Sequence, residues 1–192
     1  MTTPRILAFA GATRTSSWNK KLIRVGAESV RRAGGEATLI DLRNVAMPLY
    51  DGDLEKQEGL PAGARELKRL MLEHDGFLIS APEYNSSISA VLKNAIDWVS
   101  RPQPDEPSAV AFRGKVAALL AASPGNLGGI RGLFTVRQVL TTLGTLVIPT
   151  QFGLARANEA FDEDGSLKDA GQQKTVDTVA SELVRIVGRL KV

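Results

Sequence analysis

Hydroxyl side chains and one arginine lie in a short loop near the start of the chain, between an apolar run and a segment of helical period. The loop, Gly11 to Asn19, reads Gly-Ala-Thr-Arg-Thr-Ser-Ser-Trp-Asn. The free N–H groups and the dipole at a helix start favour an anion, and the planar guanidinium of Arg14 suits a phosphate group. The Ser17 hydroxyl could donate to the same anion, and Asn19 could either do so or cap the helix. We therefore predict that this loop holds a phosphate group.

Two familiar kinds of phosphate loop do not fit these residues. A dinucleotide fingerprint needs glycine at its first, third and sixth positions, but the third is Thr13 and the sixth is Ser16. A Walker loop needs Gly-Lys followed by Ser or Thr, which this loop lacks. The hydroxyls could also serve only as helix caps. Arg14 favours the interpretation as an anion-binding loop, because a loop that only caps a helix needs no positive charge.

Two later loops carry residues that could contact a flat ligand. In the first, Pro82 to Asn85, Tyr84 could lie against a ring and Asn85 could hydrogen-bond ring heteroatoms. The same residues are also ordinary for a turn with a partly buried aromatic. The second loop, Ser123 to Arg131, contains four glycines or prolines, which permit a close approach of the backbone to a ligand.

Apolar runs of strand length alternate along the chain with stretches of helical period. We predict strands at 6–10, 37–42, 76–81, 116–122 and 146–149, and helices at 18–33, 64–73, 89–99, 130–143 and 168–190. Residues 48–63 and 101–108 are predicted to be irregular. Nearly continuous apolar strands separated by helices indicate a parallel sheet that is covered on both faces.

For five such strands we predict the flavodoxin-like order 2-1-3-4-5, in a three-layer α/β sandwich formed by a single domain over residues 1–192. In sheets of this kind ligands bind beyond the carboxyl ends of the strands, near the switch point. The loops after strands one, three and four would therefore lie at one edge.

The composition excludes several classes of protein. The 192 residues include no cysteine, which excludes disulfides, thiolate catalysis and cysteine-ligated metals. The formal charge of +3 is too small a surplus to indicate nucleic acid. No apolar stretch reaches the ~20 residues that span a bilayer, and the N-terminus does not resemble a signal peptide. We expect a cytoplasmic protein without a membrane partner.

The single histidine, His74, is expected to end a helix rather than to bind metal.

The motif Gly-x-x-Arg-x-x-Ser-x-Asn at 11–19, together with Pro-Glu-Tyr-Asn at 82–85, resembles the NADPH-dependent FMN reductase family. Its members include bacterial quinone, chromate and azo-dye reductases with a flavodoxin-like fold. The segment Leu92 to Trp98 also looks like the family's helix. The resemblance covers roughly Arg5 to Val187.

This resemblance implies a set of residues that bind FMN. The positions that match the family's phosphate contacts are Arg14, Ser17 and Asn19. Those that match its contacts to the flavin ring are Pro82, Glu83, Tyr84 and Asn85. Those that match the border of the ribityl chain and ring are Ser123 and Gly125. The chain departs from the family at Ala12, where many members have serine, and at Ser86 and Ser89-Ala90.

The resemblance also implies an activity. An FMN-dependent NAD(P)H oxidoreductase would pass a hydride from nicotinamide to flavin, and then two electrons to a quinone-like, azo or metal-oxyanion acceptor. The cofactor would carry the chemistry, so we expect no catalytic side chain. We expect a homodimer or homotetramer, with the apolar face of the helix Ser89 to Val99 either at the dimer contact or against the sheet. Arg131 would lie near a subunit contact or be a solvated charge.

A different class of protein has the same fold. A flavodoxin is a non-enzymatic electron carrier, typically acidic, and its phosphate loop lacks arginine. The positive balance of charge and Arg14 favour the reductase. The sequence leaves open the physiological acceptor and the preference for NADH or NADPH.

Overall fold

A five-stranded parallel sheet forms the middle layer of the protein, which is described by a computed structural model over residues 2–190. Its strands are β1 (Arg5–Ala10), β2 (Glu36–Asp41), β3 (Gly76–Ser80), β6 (Val116–Ala122) and β7 (Leu146–Leu154). They lie in the order β2-β1-β3-β6-β7, and all neighbouring pairs are parallel. The predicted winding 2-1-3-4-5 is therefore confirmed. Two very short strands, β4 (Glu83–Tyr84) and β5 (Ser87–Ile88), form a separate antiparallel hairpin.

Helices cover both faces of the sheet. They are α1 (Trp18–Arg32), α2 (Gly52–Glu58), α3 (Ala62–Glu73), α4 (Ala90–Val99), α5 (Ile130–Thr142) and α6 (Ala170–Leu190), and a 3-10 helix spans Leu42–Val45. Side chains of β1 alternate between two cores. Ile6 and Ala8 pack with α1 and α6, whereas Leu7 and Phe9 pack with α3, α4 and α5.

The apolar face of α4 lies inside the second core. Leu92, Ala95, Ile96 and Val99 are all buried against the sheet. Of the two interpretations of this face, the structure supports the one in which it faces the sheet. As a candidate for a dimer contact it is wrong, because its side chains are already covered.

Two predictions of secondary structure are wrong in detail. The stretch predicted as irregular at 48–63 contains α2, because the Asp51 carboxylate caps its start by accepting from the N–H groups of Asp53 and Leu54. The last strand continues past Pro149 to Leu154. It is an edge strand, where proline is tolerated, and Arg137 donates to the carbonyls of Val147 and Ile148 at 2.9 and 2.8 Å.

No helix among residues 2–190 is both long enough and apolar enough to cross a membrane.

Candidate cofactor-binding site

The loops after β1, β3 and β6 meet at one edge of the sheet, and the Asn19 side chain joins them. Its Nδ2 donates to the Ala122 carbonyl at 2.9 Å, and its Oδ1 accepts from the Ala122 N–H at 3.0 Å and from the Ser80 hydroxyl at 2.9 Å. The side chain is buried. Both lone pairs of the amide oxygen are thus used within the protein, and one N–H of the amide remains for a ligand. Asn19 positions the loops, and its contact with a phosphate stays a prediction.

The loop of residues 11–19, called the phosphate loop below, does not cap its own helix. Ser17 is the N-cap residue of α1, but its hydroxyl makes no capping hydrogen bond. The first N–H groups of a helix have no partner within the helix, and the first turn of α1 carries no acidic side chain. Thr13, Arg14, Thr15 and Ser16 are exposed. The loop therefore fits an added anion better than it fits the alternative of a turn that only caps a helix.

Arg14 lies over this loop. Its guanidinium is 3.4 Å from the Ser16 hydroxyl and lies 5.2 Å from the centre of the Trp18 ring. Both contacts are with the loop and the first residue of α1. An exposed guanidinium with these contacts is available for a phosphate bound at the helix start.

Sequence reasoning missed two further cations at the phosphate loop. Lys20 donates to the Thr13 carbonyl at 3.0 Å and pairs with the Asp41 carboxylate at 2.6 Å. Arg43 donates to the same carbonyl at 2.5 Å and to the Thr15 hydroxyl at 3.1 Å. The signal that could have found Arg43 was the strand order, because Asp41 at the end of β2 pairs in register with Ala10, directly before the loop.

The Asp41 carboxylate holds both of these cations in place. Besides pairing with Lys20, it accepts from the backbone N–H of Arg43 at 3.0 Å and so caps the 3-10 helix. Burial would raise the pKa of Asp41, but the hydrogen bonds from Lys20 and from the Arg43 N–H outweigh it and hold the pKa below its ordinary value. Asp41 is therefore ionised at neutral pH.

The residues predicted to hold the flavin ring lie in the hairpin of β4 and β5 and, for Pro82, directly before it. Pro82 is buried, and Tyr84 is 58% exposed, so Tyr84 is not the partly buried aromatic that a plain turn would have. Asn85 and Ser86 have φ angles of 52° and 64°. A two-residue hairpin loop with positive φ at both positions favours asparagine. The turn interpretation of Asn85 is thus correct for its backbone, and its contact with a ring stays a prediction.

The Glu83 carboxylate faces the protein rather than a ligand. It accepts from Arg131 Nε at 2.8 Å and from the Gly132 N–H at 3.2 Å. A Cβ on Gly132 would lie 3.2 Å from Glu83 Cα, so this glycine lets α5 approach the hairpin closely. Burial would raise the pKa of Glu83, but the hydrogen bonds from Arg131 and Gly132 outweigh it and hold the pKa below its ordinary value. Glu83 therefore anchors the hairpin to α5, and its backbone is the part left to contact a ring.

The Glu83–Arg131 pair gives a prediction that depends on pH. A double-mutant cycle of Glu83→Ala and Arg131→Ala should show a coupling energy of about 1 kcal/mol at pH 7, since the arginine is half-exposed. Because the pKa of Glu83 is depressed by folding, its contribution is present above about pH 4 and is lost as the carboxylate is protonated. Urea unfolding at pH 7 and at pH 3 measures it. Coupling that is absent at pH 7, or unchanged at pH 3, would contradict this pair.

In the loop after β6, a side chain could be added at Gly125 but not at Gly128. A Cβ on Gly125 would meet only the Ser123 hydroxyl, at 3.6 Å, and the Gly125 N–H donates to that hydroxyl at 3.2 Å. Gly128 has a φ angle of 61°, and a Cβ there would lie 2.5 Å from the Gly153 backbone. This close approach to β7 and the positive φ explain why residue 128 is a glycine, and an approach of its backbone to a ligand stays a prediction. Gly125 and Ser123 stay candidates for the border of the cofactor.

Comparison with known proteins identifies the family. Residues 4–159 match the family model described as NADPH-dependent FMN reductase. The chain is 32% identical over 188 residues to the NAD(P)H-dependent FMN reductase of Pseudomonas aeruginosa, a match that covers 97% of each chain. This chain belongs to the NADPH-dependent FMN reductase family. Another relative in the comparison is the quinone reductase of Escherichia coli K12, 34% identical over 182 residues, which cover 93% of this chain and 91% of that one.

Solved structures agree with this assignment to the NADPH-dependent FMN reductases. FerB, a flavoenzyme NAD(P)H:(acceptor) oxidoreductase from Paracoccus denitrificans, is 26% identical and matches with a TM-score of 0.80 over 97% of this chain and 98% of its own. The expected fold, the cofactors FMN and NAD(P)H, and the class of enzyme are thereby confirmed. The uncapped start of α1 and the cations around it fit the phosphate of FMN.

Proposed function

We propose that this FMN reductase passes electrons from NAD(P)H to a quinone-like acceptor, with azo compounds and metal oxyanions as further substrates of the same site. The observation that carries the proposal is the uncapped, cation-lined phosphate loop, which lies at the same edge of the sheet as the exposed hairpin of β4 and β5. The name of the Escherichia coli relative supports the quinone as acceptor.

In this proposal each part of FMN is bound by residues at this edge of the sheet. Arg14, the Ser17 hydroxyl and the N–H groups at the start of α1 would hold the phosphate, while Asn19 ties their loop to β3 and β6. Ser123 and Gly125 would border the ribityl chain. When bound, FMN supplies the redox chemistry by accepting a hydride from NAD(P)H and returning two electrons to the acceptor.

The hairpin would serve as the platform for the flavin ring. Pro82 and the backbone of Glu83 stay fixed because the Glu83 side chain is held by α5. Tyr84 and Asn85 project from that platform into solvent and would contact the ring or the incoming substrate. A rigid platform keeps the ring in register with its substrates, which is the main contribution a protein makes to a cofactor-borne reaction.

We further propose that the protein is a homodimer or homotetramer. Three large apolar side chains are more than half exposed on the elements around the site: Tyr84 on the hairpin, Leu127 in the loop after β6, and Phe134 on α5. Such exposed groups near a binding site are typical of a covered surface, and a second copy seated there would close the site from solvent. Light scattering of the wild type and of Phe134→Ser tests this, since the variant should shift toward the monomer.

The cysteine-free composition fits a reducing compartment, and we propose a cytoplasmic location on that ground.

A steady-state screen tests the proposed function. The FMN-loaded protein would be mixed with NADPH or NADH and with a benzoquinone, an azo dye or chromate in turn, against a control of free FMN without protein. We expect the quinone to accelerate NAD(P)H oxidation far above the rate in air. If no acceptor does so although FMN is bound, the chain is not a quinone reductase, and the alternative of an electron carrier of the flavodoxin type gains support.

A further inference from the structure

Arg43 contacts the phosphate loop, and the family motif does not include it. It stands in the 3-10 helix after β2, where Asp41 fixes its backbone by accepting from its N–H at 3.0 Å. Its guanidinium reaches across to the loop and donates to the Thr13 carbonyl and the Thr15 hydroxyl at 2.5 and 3.1 Å. A guanidinium has five N–H donors, so these two bonds leave donors free beside the loop.

These contacts do little for the fold itself. The Thr13 carbonyl already accepts from Lys20 at 3.0 Å, and the Arg43 side chain is exposed. An exposed hydrogen bond to a neutral carbonyl that has another donor contributes little to stability. This indicates that the second arginine acts on the ligand of the loop rather than on the stability of the fold.

The charges around the loop favour a doubly charged ligand. Lys20 is paired with Asp41 at 2.6 Å, and these two charges cancel. Arg14 and Arg43 then remain, and their described contacts at the loop are with hydroxyls, a carbonyl and an aromatic ring. Two positive charges match a phosphate monoester, which carries about −1.5 to −2 at neutral pH.

We propose that Arg43 is a second cationic residue of the FMN phosphate site, contributed from the turn after β2. Its guanidinium offsets the part of the phosphate's negative charge that Arg14 alone would leave uncompensated. This inference rests on the proposed position of the FMN phosphate in the loop.

The test compares FMN with riboflavin, which lacks only the phosphate. Affinities of the FMN-free protein for both would be measured by flavin fluorescence titration in the wild type, Arg43→Gln, Arg43→Lys and Arg185→Gln. The last removes the same charge from the exposed surface of α6 and serves as the matched control. For Arg43→Gln we expect FMN binding to weaken about five- to fiftyfold with riboflavin unchanged, and Arg43→Lys should recover part of this loss.

Several results would overturn the proposal. Equal losses for FMN and riboflavin in Arg43→Gln would assign Arg43 a structural role, and an unchanged FMN affinity would remove it from the site. No recovery in Arg43→Lys would mean that its charge is not what acts. A wild type without any preference for FMN over riboflavin would instead show that the position proposed for the phosphate is wrong. If the wild type prefers FMN and Arg43→Gln keeps that preference, the position of the phosphate stands and only the role of Arg43 is wrong.

Discussion

Replacing Asn19 with alanine should lower the free energy of unfolding of the FMN-free protein by about 2–4 kcal/mol. The substitution leaves the N–H and carbonyl of Ala122 and the Ser80 hydroxyl without the partner that each now has. All of these groups lie in the interior, where an unsatisfied polar group is unfavourable by about 1–3 kcal/mol. Urea unfolding measures the change, and for a chain of this length the melting temperature should fall by roughly 5–15 °C.

Ser16→Ala is the matched control for this prediction. Ser16 lies in the same loop but is exposed, so its replacement should change stability by no more than about 0.5 kcal/mol. If Asn19→Ala kept the stability of the wild type and lost only affinity for FMN, Asn19 would be a ligand of the phosphate and not a residue whose hydrogen bonds join β3 and β6 to the loop. A loss of stability without FMN present assigns it to the scaffold of the site.

Replacing Arg14 with alanine should lower the affinity for FMN and leave stability almost unchanged, which is the opposite of the result expected for Asn19→Ala. We expect FMN binding to weaken by about 1–3 kcal/mol, roughly 5- to 150-fold, because a charge-assisted hydrogen bond to the phosphate is lost. Stability without FMN should hardly change, since among residues 2–190 the Arg14 side chain contacts an exposed hydroxyl at 3.4 Å and the Trp18 ring. Fluorescence titration with FMN at two salt concentrations measures the affinity and its electrostatic part.

Arg185→Gln again serves as the control, because it removes one positive charge far along the chain on α6. An FMN affinity that falls equally in both variants would indicate a general effect of net charge. An affinity unchanged in Arg14→Ala would remove Arg14 from the site and return the phosphate loop to the alternative of a helix cap.

The sheet and the edge where the three loops meet could be predicted because the signals are local. Each buried strand is a continuous apolar run, and the order of strands and helices permits few windings. The helix α2 was missed because one capping side chain, Asp51, starts it within a stretch rich in glycine and aspartate. The hairpin strands contain two residues each, too few for any period to show.

The ion pairs and hydrogen bonds of the site could not be predicted from the sequence, because their partners are far apart in the chain. Glu83 was assigned to the flavin ring, but its carboxylate faces Arg131, which reaches it only because Gly132 brings α5 close. Arg43 contacts Thr13 because β2 and β1 are paired in register. Family motifs indicate which loops bind the cofactor, whereas packing between elements decides where each side chain points.

The position of the FMN phosphate at the start of α1 is tested most directly by titrating the wild-type, FMN-free protein with FMN and with riboflavin. We predict one FMN bound per chain, at least about a hundredfold more tightly than riboflavin, because two arginines and the helix start act on the phosphate alone. Equal affinities for the two flavins, or no binding of FMN, would contradict that position.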